Sequence, residues 1–312
     1  MKVLDALRKA APLSRSSPPD GGELFDDNFQ RKLEYLAIVS RRVFSGRLRA
    51  ERRTKKSGSG VEFADHRDYA AGDDFRYLDW NVYGRLGRLL LRLYEEEEDL
   101  SIYLVVDVSS SMGFGGNKKL VYAKRLCAAL AYIGLSNLDR ITVVAATDRI
   151  DSLLPTARGR ARIFKVFEFL RGLQPHGVTN LGDAMKTFVA QHKRRGLAIL
   201  ISDLYDHHGF EKGINVLRYN KFEPLALHVV DRADAHPKLG GDVRIYDCET
   251  GDEREVTVTP RVLAELAKAH EGYLAEIKKF CTERQVSYVA ADVDVPFDDL
   301  ILRVLRRGSI VG

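Results

Sequence analysis

The chain has 312 residues, 45% hydrophobic and 30% charged, with a formal charge of +5; this is a globular composition with room for one sizeable core and an attachment. No apolar run approaches the roughly 20 residues that cross a bilayer, and the first 19 residues lack the apolar stretch of a signal peptide, so no membrane span and a cytoplasmic location are expected. The three cysteines, Cys127, Cys248 and Cys281, are far apart and odd in number; no metal or redox spacing joins them, and they read as buried free thiols.

Residues 1–22 hold Pro12, Pro18 and Pro19 among Ser and Gly and are expected to form a flexible lead-in. Residues 23–99 follow as an N-terminal helix plus a segment of different character. Over 26–44, Phe29, Leu33, Leu36, Ala37, Val43 and Phe44 recur at helical spacing and predict one amphipathic helix. Arg41, Arg42, Arg47, Arg49, Arg52, Arg53, Lys55 and Lys56 then cluster around a single acid, Glu51. Such a block can meet nucleic acid, anionic lipid or an acidic protein face. The plainer reading is a solvated surface, and nucleic acid is not expected as a partner. Residues 57–99, rich in Gly, Asp and Arg, read as extended segments and turns packed on another body.

Residues 100–312 alternate between strand and helix. Strands are expected at 101–106, 141–146, 197–202, 223–230 and 286–291, and helices at 118–135, 161–173, 181–192, 210–218, 260–284 and 297–307. A hairpin is expected over 243–259, turned at 249–252 by Gly251. The uninterrupted apolar runs at 104–106 and 197–201 imply strands buried on both faces. Their alternation with helices predicts an α/β fold of three layers, a doubly wound and mostly parallel sheet, with the N-terminal helix and extended segment packed on it. In such sheets ligands bind beyond the carboxyl ends of the strands, where the strand order switches.

The informative residues fall there. Asp107 follows the strand 101–106, and Ser109 and Ser111 stand two and four residues on, so in an extended loop the three side chains converge. Thr179 lies in the loop 175–180, and Asp203 ends the strand 197–202. Carboxylates and hydroxyls are hard oxygen donors suited to Mg²⁺ or Mn²⁺. Singly, each residue has a plainer role: Asp107 as a cap, Thr179 as a helix N-cap, Asp203 as a loop aspartate. Jointly they make a candidate cation site. Asp206-His207-His208 reads as a solvated loop or helix start.

This spacing resembles the metal-ion-dependent adhesion site of von Willebrand factor A domains. The resemblance implies that Ser109, Ser111 and Thr179 coordinate the ion through hydroxyls, while Asp107 and Asp203 act directly or through water. It also implies an open coordination position that takes an acidic residue of a partner. Upstream, Gly58-Ser59-Gly60-Val61-Glu62-Phe63, Arg67, Tyr69, Gly72-Asp73-Asp74, Arg76 and Leu78-Asp79-Trp80 are similar to the signature of the bacterial family called domain of unknown function fifty-eight. There the signature precedes a von Willebrand factor A-like domain. The chain departs from it at Tyr83-Gly84-Arg85-Leu86-Gly87-Arg88. The family resemblance implies a MoxR-type AAA+ ATPase as partner, and with it a client protein.

The charges of Glu62, Arg67, Asp73, Asp74, Arg76 and Asp79 read as an ion-pair network clamping this segment to the A-like domain, with Phe63 and Trp80 as apolar anchors. The expected function is a divalent-metal-dependent protein-interaction module, an adaptor for such an ATPase in complex maturation or chaperone-like remodelling, and not an enzyme. The alternative is a metal-dependent hydrolase, a phosphatase or nuclease, at the same ion; no base or free nucleophile is identifiable for it.

Overall fold

A computed structural model describes residues 24–51, 53–56, 62–97 and 100–307. The expected lead-in at 1–22 and the side chains of the arginine cluster lie outside the described residues. Two compact units emerge, one of residues 1–37 with 100–312 and one of residues 38–99.

The larger unit is built on a six-stranded sheet: β4 (Ser101–Asp107), β5 (Arg140–Ala146), β6 (Ile150–Ala157), β7 (Leu197–Ser202), β8 (Glu223–Val230) and β11 (Ser287–Asp292), in spatial order β11-β8-β7-β4-β5-β6. All neighbours are parallel except β5 and β6. Every residue of β4 and of β7 is buried, as their apolar sequences require of strands covered on both faces.

Side chains alternate along β4. Tyr103 and Val105 pack with α5 (Leu181–Gln191), α6 (Phe210–Tyr219) and α8 (Pro260–Glu283) through Phe188, Ile214 and Ile277. The opposite layer holds α3 (Lys118–Ser136), α4 (Ile163–Gly172) and α9 (Phe297–Arg307). The start of α1 (Asp27–Glu51) joins that layer: Phe25 stacks on Phe167 at 4.5 Å, and Phe29 meets Phe297 at 4.7 Å. The fold is therefore the three-layer α/β architecture expected, with the N-terminal helix packed on it.

Strand β6 was not anticipated, and its sequence explains why. It is an antiparallel edge strand that contains Pro155 and alternates between partial and full exposure, so it carries no buried apolar run. Between β8 and β11 the chain makes α7 (Arg232–Ala235) and the expected hairpin, β9 (Gly241–Tyr246) with β10 (Glu253–Val258), before entering α8.

The smaller unit contains β1 (Arg53–Lys56), β2 (Glu62–Asp68), α2 (Trp80–Leu86) and β3 (Leu90–Glu97), the strands forming an antiparallel sheet in the order β1-β3-β2. Residues 62–97 supply two of the three strands, and 53–56 supply the third. The unit's charges pair inside the segment: Arg67 with Asp73 at 2.8 Å and Arg76 with Asp74 at 2.6 Å. Asp79 is the hub. It caps α2 through Asn81 and Val82 N–H and accepts from Arg92 Nε at 2.9 Å, with His66 Nε2 at 3.0 Å. Phe63 and Trp80, expected as buried anchors, are 54% and 60% exposed.

Candidate metal centre

The sheet order creates the site. From β4 the chain winds to β5 and β6 on one side, then returns to β7 and β8 on the other, so the carboxyl ends of β4 and β7 flank the switch point. Asp107 is the last residue of β4 and Asp203 the first after β7.

After Asp107 the chain does not stay extended as expected. Ser109 N–H donates to Asp107 Oδ1 at 2.9 Å, and a tight 3₁₀ turn begins at Ser110. The turn, rather than extended alternation, brings the serine hydroxyls together at 3.0 Å. Ser111 Oγ then donates to Asp203 Oδ1 at 3.2 Å, and Ser202 Oγ donates to Asp107 Oδ2 at 2.5 Å. Four of the five expected ligands therefore share one buried network. Leu204, beside Asp203, sits at φ 57°, a left-handed conformation that costs a leucine about 1–2 kcal/mol. Its N–H is held by Ser202 Oγ at 2.8 Å, so the strain is kept where the carboxylate is placed.

Thr179 belongs to the neighbouring loop, which is bound to the serine loop through His176 N–H to Val108 O at 2.7 Å and Ser110 N–H to Gly177 O at 3.1 Å. Gly113 allows this approach: a Cβ there would lie 2.6 Å from Pro175 Cγ. Thr179 is fully buried and does not cap α5; Asn180 does, accepting from Asp183 N–H. The Thr179 hydroxyl instead donates to Glu249 Oε1 at 2.7 Å, and its N–H to Glu249 Oε2 at 3.2 Å.

Burial and then the Asp203 charge push Asp107 up to about 7. Burial acts the same way on Asp203, but the Lys119 charge and hydrogen bond outweigh it and hold Asp203 below the usual carboxylate range. Lys119, 2% exposed, reaches Asp203 Oδ2 at 2.7 Å and Asp234 Oδ2 at 3.1 Å. Burial alone would favour loss of its proton; the two carboxylates reverse that and hold its ammonium charged. Burial also raises Asp234 and Glu249.

One ammonium thus serves a neighbourhood containing Asp107, Asp203, Asp234 and Glu249. Among the described residues no group of three or more His, Cys, Asp or Glu side chains is arranged to hold an ion, and a donor set here would have to include the hydroxyls of Ser109, Ser111 and Thr179. Two carboxylates and three hydroxyls are hard donors of the kind Mg²⁺ takes, and a cation would relieve the pressure on Asp107. The residues fit the ion.

Sequence reasoning missed Lys119 and Glu249. A lysine in the first turn of a helix opposes the macrodipole, and that was the available signal for Lys119. Glu249 carried none. Of Asp206-His207-His208, Asp206 is buried and accepts from Leu181 N–H at 2.8 Å. His207 lines a cavity of about 60 Å³ with Ser111, Lys119, Glu249 and His270.

Fold and site define a doubly wound α/β protein with a buried acidic and hydroxyl-rich pocket at the sheet's switch point. The chain belongs to the family described as "Protein of unknown function DUF58", whose pattern matches residues 65–272. It is 26% identical over 299 residues to the uncharacterized proteins Rv1480 of Mycobacterium tuberculosis and Mb1516 of Mycobacterium bovis, covering 93% of this chain and 94% of each relative. Among solved structures, the conserved hypothetical protein BatB from Bacteroides thetaiotaomicron is similar at 16% identity and a TM-score of 0.41, over 67% of this chain and 97% of that one.

Proposed function

We propose that this protein is a divalent-cation-dependent protein-interaction module of the von Willebrand factor A type. The observation that carries the reading is the network of Asp107, Ser109, Ser111 and Asp203 at the carboxyl ends of β4 and β7, with Thr179 on the loop bonded to it. These five side chains hold Mg²⁺ or Mn²⁺, and the ion anchors a carboxylate by Lewis acidity without reacting with it. The resemblance of the upstream signature supports a MoxR-type AAA+ ATPase as partner, with the module presenting a client for complex maturation or chaperone-like remodelling. Among the described residues no helix is long and apolar enough to cross a membrane; action in the cytoplasm is part of the proposal.

Calorimetric titration with Mg²⁺ and Mn²⁺ tests the reading. The wild-type chain is expected to bind one ion, and Asp107→Ala to lose binding while keeping its circular dichroism spectrum. Equal binding by Asp107→Ala would sink the idea. Hydrolysis is the second reading, favoured by the imidazoles of His207 and His270 on the cavity wall. Phosphatase and nuclease assays with Mg²⁺ or Mn²⁺ decide it: turnover abolished by His207→Ala or His270→Ala would replace the binding role with a catalytic one.

A further inference from the structure

We propose that Glu249 holds Thr179 in place for the cation, so that the hairpin of β9 and β10 closes the site with the chain's own carboxylate. The inference rests on the metal reading above and extends it to a residue outside the adhesion-type set.

The hairpin is a detour in the crossover from β8 to β11, and its tip presents Glu249 to the carboxyl end of the sheet. The tip is held in shape. Asp247 Oδ1 accepts from Glu249 N–H at 2.9 Å and Thr250 N–H at 3.2 Å, while Gly251, at φ 76°, donates to Asp247 O at 2.9 Å. A positive φ at the tip is what glycine supplies without steric cost.

The Glu249 side chain is 3% exposed, and both of its oxygens point at one residue, Thr179, an expected ligand. A hydroxyl and an amide do not balance a full buried charge. Lys119 is engaged by Asp203 and Asp234, and the His207 ring stands 3.8 Å from Glu249 Oε2. A divalent ion accepting a Thr179 lone pair supplies the missing positive charge. The proton stays on Thr179 Oγ1, and the coordinated hydroxyl still donates to Glu249 Oε1.

Glu249→Gln separates this role from a structural one, because Gln keeps the shape and the acceptor oxygen but loses the charge. With Mn²⁺ as probe, calorimetry is expected to show about tenfold or greater weakening in Glu249→Gln, since the negative charge gathered around such a site sets its affinity. Hydrogen exchange across residues 247–252 is expected to slow on adding Mg²⁺ to the wild-type chain, and not in Glu249→Gln. Unchanged Mn²⁺ affinity in the variant, with hairpin exchange indifferent to Mg²⁺, overturns the assignment of Glu249 and leaves the five-residue site standing. No Mn²⁺ or Mg²⁺ binding by the wild-type chain overturns both.

Discussion

Lys119 is the residue on which the charge balance of the site turns. Its ammonium is buried between Asp203 and Asp234 and lies 5.2 Å from the Tyr205 ring centroid. Breaking a buried pair by removing one partner costs about 3–5 kcal/mol, because the remaining charge is stranded. In Lys119→Met, Asp203 and Asp234 face each other without a counter-ion, so the thermal midpoint in chelator is expected to fall by several degrees or more. Millimolar Mg²⁺ should restore part of the loss, since an ion at Asp203 replaces some of the missing charge. A variant as stable as wild type in chelator would show that the Asp203–Lys119 contact contributes little. A variant that loses stability but ignores Mg²⁺ would put Asp203 outside the ion's reach.

At the scale of elements, the site depends on two loops docking at Gly113 and Pro175. Alanine at 113 meets Pro175 Cγ and Cβ at 2.6 and 2.7 Å, and a proline ring has no torsion with which to yield. The 175–180 loop must shift, carrying Thr179 with it. Gly113→Ala is therefore expected to weaken Mn²⁺ binding by about tenfold at a stability cost of about 1–3 kcal/mol; unchanged Mn²⁺ affinity would separate Thr179 from the ion. This docking also marks the limit of what was legible in the sequence. The strands that carry Asp107 and Asp203 were readable because burial on both faces writes an unbroken apolar run. The α/β order followed from their alternation with helices. Strand β6 was hidden by Pro155 and its half-exposed edge position. Lys119 and Glu249 were hidden for another reason: a helix-start lysine and a hairpin-tip glutamate normally face water. Only the tertiary return of α7 and the hairpin over the sheet end buries them. The same return gives Thr179 a carboxylate partner that no local spacing announces.

Across the whole molecule, buried titrations of opposite sign oppose each other, and a cation at Asp107 shifts the balance between them. His228, buried on β8 with its Nδ1 3.0 Å from Tyr288 Oη, is pushed down by burial to about 4 from an ordinary 6.5. Between those values the unfolded chain binds a proton that the folded chain refuses. Stability from this group is therefore full above about 6.5 and is lost as pH falls toward 4, by about 3 kcal/mol. Asp107 runs the other way. Its folded value, raised to about 7 from 3.8, means that the cation-free protein loses stability as pH rises across that window. In chelator the two slopes oppose each other. With Mg²⁺ bound, Asp107 is held as a carboxylate and its slope leaves the window. Urea unfolding at pH 4.5, 5.5 and 6.5 is expected to give a midpoint that rises more steeply with pH in Mg²⁺ than in chelator. His228→Gln should make both profiles rise less with pH. Identical profiles with and without Mg²⁺ would mean that the ion does not act through Asp107.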